Sequence, residues 1–214
     1  MKIKEVITEN QEKENKEIAA EGVGTTRAPY DYQKPFQFHP HPPPWDKNKK
    51  WVLEIGPGNG KFITWLAAQH PQKLFIAVEL RNMRFQGVGK KSLRSKIENI
   101  TTVHGDARYC LPYVFEKNSL TEIYILFPDP WFKRRHYKHR LINAERTELF
   151  HALLKKNGKV YFASDNKDYA EWVQKSFSKE KWKFEEGKSL YPTYFETKWK
   201  KMGREISYFL FKRI

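Results

Sequence analysis

Short apolar runs alternate with segments of helical periodicity along most of the chain. Runs rich in β-branched and aromatic residues predict seven strands, at residues 51–55, 74–78, 100–103, 123–127, 160–163, 182–185 and 206–211. Apolar residues at helical spacing predict helices over residues 61–68, 82–95, 141–154 and 168–178. Strands that alternate with helices favour right-handed βαβ units. We therefore expect an α/β fold with a mostly parallel sheet that ends in a terminal pair of strands.

The N-terminal part of the chain lacks this pattern. Residues 1–33 are polar, rich in Glu and Lys and poor in core-forming residues, so we interpret them as a flexible arm. Residues 34–49 contain a run of prolines and are predicted to form an extended, polyproline-like linker. His39 and His41 lie in this linker, but two histidines among prolines make a poor cage for a metal, and we expect no metal site. The folded domain is then expected to comprise residues 50–214.

The charge balance of the chain indicates an anionic partner. The chain holds 40 Lys and Arg against 25 Asp and Glu, a formal net charge of +15, and the first 30 residues contribute none of this excess. Such a field favours nucleic acid or an anionic membrane surface. The sequence contains neither a strongly amphipathic basic helix nor an apolar run of about 20 residues, so we expect no membrane partner.

The cysteine content bears on the cellular compartment. Cys110 is the single cysteine, so the chain cannot form an internal disulfide, which is typical of a reducing cytosol. The first residues also lack the apolar core of a signal peptide. We therefore expect a cytoplasmic location. The sequence does not indicate the oligomeric state, which could be a monomer or a homodimer.

A glycine-rich turn follows the first predicted strand. That strand leads into Glu54 and then into Gly56, Gly58 and Gly60. Glycines at alternate positions let the backbone bend sharply and approach a ligand closely, at the edge where doubly wound sheets bind their ligands. Glu54 lies inside the strand end, where its carboxylate could bind a cation.

Single acids follow the next two predicted strands. Glu79 ends the second strand, where a carboxylate can accept hydrogen bonds from a ribose diol. Asp106 follows the third strand and is placed to meet an adenine edge. Each feature alone also fits a plain turn or a solvated acid. Together, at the ends of successive strands, they predict a cofactor site.

The segment 127–136, with the sequence Phe-Pro-Asp-Pro-Trp-Phe-Lys-Arg-Arg-His, follows the fourth predicted strand. Prolines on both sides of Asp129 fix φ and bias the preceding residues towards extended conformations, so the acid is held in a stiff turn. A stiff acid beside cations suited to phosphate predicts chemistry on a polyanion; the alternative is a surface turn followed by a solvated basic loop. Five fixed positive charges follow without an intervening acid, on Lys133, Arg134, Arg135, Lys138 and Arg140.

These motifs resemble those of a known family and of the larger class to which it belongs. The pattern Glu-x-Gly-x-Gly-x-Gly at 54–60 resembles motif I of class I S-adenosylmethionine-dependent methyltransferases. The sequence Pro-Asp-Pro-Trp from residue 128, its basic run and Thr-Tyr-Phe-Glu at 193–196 resemble the tRNA (guanine-N(7)-)-methyltransferase family of the bacterial single-chain type, over about residues 50–211. The resemblance implies a class I, Rossmann-like fold with a seven-stranded, mostly parallel sheet, helices on both faces and an antiparallel terminal strand. Residues 50–214 would be the methyltransferase domain.

The resemblance also implies an activity and a set of site residues. The activity is transfer of a methyl group from S-adenosylmethionine to N(7) of a guanosine in tRNA, at position 46 in the variable loop. Asp129 is the implied catalytic residue. The implied cofactor contacts are Glu54, Gly56, Gly58, Gly60, Glu79, Asp106 and Asp129. The implied contacts to the guanosine or the tRNA around it are Lys133, Asp165, Thr193 and Glu196. The implied contacts to tRNA phosphates are Arg134, Arg135, Lys138 and Arg140.

Three other functions compete with this interpretation. Methyltransferases that act on an exocyclic amine typically carry Asn or Asp before Pro-Pro and an aromatic residue, whereas Asp129 stands between its two prolines. A non-catalytic RNA-binding subunit would not need the intact glycine loop and three strand-end acids. A nucleotide-dependent oxidoreductase is disfavoured by Glu54 and by a third glycine that comes one residue early. Phe132 departs from the family pattern, in which many members have proline, and predicts a looser turn after Trp131.

Overall fold

The computed structural model of the chain describes residues 37–39 and 45–214, which contain one eight-stranded sheet. The strands are β1 (Gln37–His39), β2 (Lys50–Ile55), β3 (Lys73–Glu79), β4 (Ile100–His104), β5 (Leu120–Leu126), β6 (Leu154–Ser164), β7 (Trp182–Glu186) and β8 (Ser207–Arg213). Their order across the sheet is β1-β4-β3-β2-β5-β6-β8-β7.

The centre of the sheet is parallel and its edges are antiparallel. Strands β4, β3, β2, β5 and β6 run in the same direction. Strand β8 is antiparallel to both β6 and β7, and β1 is antiparallel to β4. The seven predicted strands and the mostly parallel α/β arrangement are therefore confirmed. The short strand β1 is an additional edge strand that the apolar pattern does not predict.

Helices cover both faces of the sheet, as expected for parallel strands. Alternate residues of β2 belong to different apolar clusters: Val52 packs with Phe62 of the first helix, and Leu53 packs in the cluster that contains Phe150. The α-helices in the described part of the chain are α1 (Lys61–Gln69), α2 (Asn82–Arg94), α3 (Ala107–Val114), α4 (Ala144–Leu153), α5 (Lys167–Ser176) and α6 (Tyr194–Lys201). Helices α1 and α2 contribute to the cluster of Val52, and α3, α4 and α5 contribute to the cluster of Leu53.

Three helical segments differ from the expected pattern. The sequence does not predict α3, because it contains Pro112, or α6, because it lacks a continuous apolar stripe. The expected basic loop after Asp129 contains a 3₁₀ helix, Arg134–His139. The helix predicted from residue 141 begins only at Ala144, where the side chain of Asn143 accepts a hydrogen bond from the N–H of Arg146 at 2.9 Å.

Part of the predicted linker is integrated into the folded domain. Gln37–His39 pairs with β4, and Trp45 is 6% exposed in the core, where its ring meets Trp51 edge-on at 5.4 Å. The sheet and core therefore extend towards the N-terminus beyond residue 50. The predicted arm, residues 1–33, and the rest of the linker around His41 lie outside the described residues, and so do the side chains of residues 37–39.

Among the described residues, none of the helices has both the length and the apolar character needed to cross a membrane.

We expect Trp45→Ala to lower the free energy of unfolding by about 3–5 kcal/mol, because it removes a buried ring from the contacts with Trp51 and Phe115. Urea denaturation followed by circular dichroism measures this difference. Phe132→Ala is the matched control: this ring is 72% exposed, and its loss should change stability by less than about 0.5 kcal/mol. Equal effects of the two changes would contradict a core position for Trp45.

Candidate active site

Five acidic residues lie where the five parallel strands end. Glu54 and Glu79 lie at the carboxyl ends of β2 and β3, and Asp106, Asp129 and Asp165 follow β4, β5 and β6. The carboxyl ends of parallel strands share one edge of a sheet, which is the edge where doubly wound folds bind their ligands. The fold therefore brings all five sequence-predicted acids to the same edge.

The glycine loop between β2 and α1 passes through left-handed conformations, with φ of +72°, +59° and +70° at Gly56, Gly58 and Gly60. A Cβ added to Gly56 or Gly58 would meet no other protein atom within 4 Å among the residues described, apart from its chain neighbours, whereas a Cβ on Gly60 would lie 2.9 Å from Cγ2 of Val88. The first two glycines thus border open space for a ligand. Gly60 lets the loop pack tightly against α2.

Contacts from α2 and β3 hold the glycine loop in place. Lys91 of α2 donates a hydrogen bond from Nζ to the carbonyl of Asn59, and the N–H of Gly56 donates to the carbonyl of Val78 in β3 at 2.9 Å. Oδ1 of Asn59 accepts a hydrogen bond from the backbone N–H of Lys61 at 3.0 Å. These hydrogen bonds hold the loop backbone in one conformation beside the open space at Gly56 and Gly58.

Glu54 and Glu79 are buried, each 4% exposed. Oε1 of Glu79 accepts a hydrogen bond from the N–H of Arg81 at 2.9 Å, but Oε2 of each glutamate has no hydrogen-bond partner in the described part of the chain. Burial, together with the charge of Glu79, raises the pKa of Glu54 to about 8. Buried acids with unpaired oxygens suit a ligand that brings positive charge and hydroxyl donors.

S-adenosylmethionine fits this arrangement. It carries a sulfonium, an ammonium and a ribose diol but no phosphate, and it supplies an activated methyl group when bound. Glu54 would hold the cationic part, and Glu79 would accept hydrogen bonds from the diol. Gly56 and Gly58 would allow the ligand close to the backbone.

Asp106 lies at the same edge but has a partner that the sequence does not predict. Its carboxylate caps α3 by accepting a hydrogen bond from the N–H of Arg108 at 2.9 Å, and the Arg108 guanidinium also donates to both carboxylate oxygens, the shortest of these bonds being 2.8 Å. A contact from Asp106 to an adenine edge would therefore share the carboxylate with Arg108.

Asp129 is exposed in a loop bounded by two strained residues. Phe127 and Trp131 have φ of +54° and +50°, and a non-glycine residue in this region costs of the order of 1–3 kcal/mol. The N–H of Phe127 donates to the carbonyl of Ala163 in β6 at 2.8 Å, and the Trp131 ring lies 5.1 Å from that of His139. Strain of this kind is found where a loop must hold one side chain in a set position.

Thr193 and Glu196 lie at the start of α6, where Oγ1 of Thr193 accepts a hydrogen bond from the N–H of Glu196 at 3.1 Å. Glu196 is buried, and its Oε1 accepts from Nζ of Lys200 at 2.6 Å. Burial raises the pKa of Glu196, but the hydrogen bond and charge of Lys200, with the nearby Ser189 and Tyr208 side chains, outweigh it and lower the pKa below its ordinary value. Glu196 is therefore an ionised hydrogen-bond acceptor at neutral pH.

A cavity of about 530 Å³ lies beside these residues. Thr193 and Glu196 line it together with Phe127 from the Asp129 loop, and Tyr161 and Tyr191 add aromatic walls. This volume is within the range of small-molecule pockets, which combine apolar walls with a few polar groups. The cavity therefore suits a planar ring with hydrogen-bond donors at its edge.

Asp165 is also paired with a cation near α6. Its Oδ2 accepts a hydrogen bond from Nη1 of Arg204 at 2.5 Å, and the Arg204 guanidinium lies 4.1 Å from the ring centre of Trp199. The structure thus places Asp165, Thr193 and Glu196 on neighbouring elements at the end of the sheet. Lys200, which holds Glu196, lies in the last turn of α6, and Arg204, which holds Asp165, lies just beyond this helix, which the sequence pattern does not reveal.

The basic run after Asp129 divides into two kinds of residue. Lys133, Arg134, Arg135 and Lys138 are exposed, as the phosphate-binding hypothesis requires. The prediction that Arg140 binds tRNA phosphate is wrong, because its side chain is fully buried. Its guanidinium lies among aromatic rings, 3.4 Å from the ring centre of Tyr137, and donates to protein acceptors instead.

The chain is similar over most of its length to known methyltransferases. A family model described as a putative methyltransferase matches residues 48–209. A tRNA (guanine-N(7)-)-methyltransferase of Thermotoga maritima is 36% identical over 80% of this chain and 58% of its own length. Relatives of the same description from Leptospira interrogans and Chlorobium phaeobacteroides are 33% and 30% identical, over 74% and 76% of this chain and 76% and 78% of their own lengths. The chain spans 58% and 56% of the Thermotoga maritima and Aquifex aeolicus relatives.

Solved structures share the fold at low sequence identity. The 16S rRNA methyltransferase KamB has a TM-score of 0.56 at 15% identity, with 78% of this chain and 88% of that chain covered. A precorrin-6y C5,15-methyltransferase from Geobacter metallireducens has a TM-score of 0.56 at 12% identity, with 78% and 81% covered. These two proteins act on unlike substrates by their names, so this likeness bears on the fold alone.

The matched substitutions Gly58→Ala and Gly60→Ala should separate ligand contact from packing. Both impose a left-handed φ on alanine, which costs roughly 1–2 kcal/mol, but only Gly60→Ala also clashes with Val88. We expect Gly60→Ala to have the lower melting temperature, and Gly58→Ala to stay folded while binding S-adenosylmethionine at least about tenfold more weakly. Thermal melts and calorimetry measure the two effects. Unchanged cofactor affinity in Gly58→Ala would contradict the assigned open space.

Cofactor binding should depend on pH through Glu54. Because the pKa of Glu54 is raised to about 8 in the free protein, a cationic ligand must expel its proton at lower pH. The association constant of S-adenosylmethionine should therefore rise from pH 6 to about pH 8, by at most about tenfold per pH unit, and then level off. Calorimetry across this range should show a flat profile for 5′-methylthioadenosine, which lacks both positive charges. A profile that persists in Glu54→Gln would assign the ionisation to another group.

Proposed function

The chain belongs to the family of tRNA (guanine-N(7)-)-methyltransferases, and we propose that it transfers a methyl group from S-adenosylmethionine to N(7) of a guanosine in tRNA. The observation that carries the proposal is the convergence at one sheet edge of the Glu54–Glu79 pair, the Asp129 loop and the ionised Glu196 beside an aromatic-walled cavity. The first suits a cationic cofactor, and the last two suit a purine presented to it. We place the target guanosine at position 46 of the variable loop, as the family resemblance implies.

The acceptor atom determines what the protein has to do. N(7) of guanine carries a lone pair and no proton at neutral pH, so no general base is needed, unlike for a hydroxyl nucleophile. Alignment of the ring nitrogen with the methyl group can then supply a large part of the catalysis, roughly 7–11 kcal/mol in favourable cases. A loop that is held in a strained conformation, like that of Asp129, serves alignment.

Charge explains the acids on the substrate side. Positive charge moves onto the guanine ring during transfer, and a preorganised carboxylate near the ring stabilises it. We assign this role to Asp129. Glu196, kept ionised by Lys200, would accept hydrogen bonds from the N–H groups on the Watson–Crick edge of guanine, and Asp165 and Thr193 would complete the contacts that fix the ring.

The tRNA would be bound around this pocket. The target base must leave its stack to reach the cavity, as in other base-modifying enzymes. Trp131 and the 58%-exposed Tyr194 could stack on it or on its neighbours. The exposed residues assigned to the RNA backbone are Lys133, Arg134, Arg135 and Lys138. A tRNA substrate also supports a cytoplasmic location.

Incubation of the purified protein with labelled S-adenosylmethionine and unmodified tRNA, followed by nucleoside analysis, tests the reaction. We expect 7-methylguanosine as the product. In single-turnover assays at saturating cofactor, Asp129→Asn should reduce the methyl-transfer rate by roughly 10²–10³-fold, because an uncharged amide stabilises the developing charge poorly.

Glu98→Gln is the matched control. This exposed acid precedes the amino end of β4, whereas the candidate site lies at the carboxyl ends of the strands, so the change should leave the rate unchanged. A near-normal rate in Asp129→Asn would remove Asp129 from the proposed role. A different methylated nucleoside would overturn the reaction itself, and failure to bind S-adenosylmethionine would instead favour a non-catalytic RNA-binding subunit.

A further inference from the structure

Arg140 is a buried cation with no role in the reaction described so far. Its side chain is fully buried, and its guanidinium lies 3.4 Å from the ring centre of Tyr137, 4.9 Å from that of Tyr169 and 5.3 Å from that of Trp172. Removing a guanidinium from water is costly unless its donors are used and its charge is balanced. The hydrogen bonds that Arg140 makes therefore indicate what it is for.

Two acceptors take up Nε and Nη2 of Arg140, whereas the buried Nη1 has no hydrogen-bond partner among the described residues. Nε donates to the carbonyl of Pro130 at 3.0 Å, and Nη2 donates to Oδ2 of Asp168 at the start of α5. The hydroxyl of Tyr137 donates to the same Asp168 oxygen at 2.7 Å. Hydrogen bonds from Arg140 and Tyr137 lower the pKa of Asp168, so the partner stays ionised and the cation stays balanced.

The Pro130 carbonyl is the informative contact, because Pro130 follows Asp129 directly. The loop has one backbone anchor before Asp129, where the N–H of Phe127 donates to β6. The bond from Arg140 to Pro130 is an anchor after Asp129, just before the strained Trp131. The two anchors lie on either side of the acid, so its backbone is held by β6 and by Arg140, which is itself bonded to Asp168 of α5.

We propose that Arg140 is a positioning residue that fixes Asp129 for methyl transfer by holding the Pro130 carbonyl, with the aromatic rings as its cage. The expected loss of activity rests on the proposed function, whereas the expected loosening of the Asp129 loop does not. A planar guanidinium can bond to Pro130 and Asp168 at once while stacking on Tyr137, whereas an ammonium keeps the charge but lacks this flat fork. Arg140→Lys is therefore the variant of choice.

The expected kinetic result separates positioning from phosphate binding. In Arg140→Lys we expect kcat for tRNA methylation to fall by about 10–100-fold, since a displacement of about 1 Å at a reacting group can cost this much. The Kd for tRNA and the slope of its salt dependence should not change. A lost phosphate contact would instead reduce that slope by about 0.7–0.9, and Arg134→Gln supplies this reference behaviour.

A conformational measurement tests the same inference without any assumption about the substrate. Hydrogen exchange of a peptide that covers residues 127–133 should speed up by at least about tenfold in Arg140→Lys, because the loop loses its second anchor. Ile100→Ala is the control, since it removes buried methyl groups at the start of β4, in the other apolar cluster of the sheet from the one that contains Tyr169. It should lower the melting temperature yet leave both kcat and the exchange of this peptide unchanged.

Asp168→Asn gives a second variant in case Arg140→Lys does not fold. The Asp168 side chain is 59% exposed, so the change is tolerable on the surface, and it should loosen the guanidinium and speed up exchange in residues 127–133 to a smaller degree. Unchanged exchange in a folded Arg140→Lys, or in Asp168→Asn where the former is unfolded, overturns the inference. An inactive wild-type protein would contradict the proposed function, but the hydrogen-exchange comparison would still test whether Arg140 holds the loop.

Discussion

The burial of two carboxylates at the ends of adjacent parallel strands is the constraint around which this protein is organised. Burial, together with the charge of Glu79, raises the pKa of Glu54 to about 8, so the charged form of Glu54 is disfavoured unless a cation compensates it. The described part of the chain brings no cation to their free oxygens. A ligand that brings positive charge would balance these acids, which is how a site in so basic a protein can suit a cationic cofactor.

The cations near the candidate active site are of two kinds, those bound to the protein's own acids and those exposed to solvent, and composition alone does not separate them. Arg108, Arg140, Lys200 and Arg204 are each bound to an acid at or near the candidate active site. They orient those acids, and the hydrogen bonds from Arg140 and Lys200 lower the pKa values of Asp168 and Glu196. The exposed cations after Asp129 are the ones that we assign to an RNA backbone. The net charge of +15 thus includes cations that hold the protein's own acids as well as those proposed to bind RNA.

Periodicity predicts the central sheet well because buried parallel strands are almost continuously apolar and their bounding glycines are local signals. The strand-end acids could be found for the same reason, since their position follows from the order of strands. Helix α6 and the burial of Arg140 could not be found in this way. Arg140 is buried by Tyr169 and Trp172, which lie about thirty positions later in the chain. The local sequence of a basic run does not show whether its last residue faces solvent or an aromatic cage.

The pairing of Gln37–His39 with β4 has a consequence for how the protein keeps its sheet from associating with others. Strand β4 is buried along nearly its whole length, and without β1 it would present a row of open hydrogen-bonding groups beside apolar side chains. The opposite edge, β7, carries Lys183, Glu185 and Glu186, charges that discourage a foreign strand from docking. One edge is thus protected by charge and the other by a short covering strand. A fragment cut at residue 50 would lose that cover and acquire an aggregation-prone border.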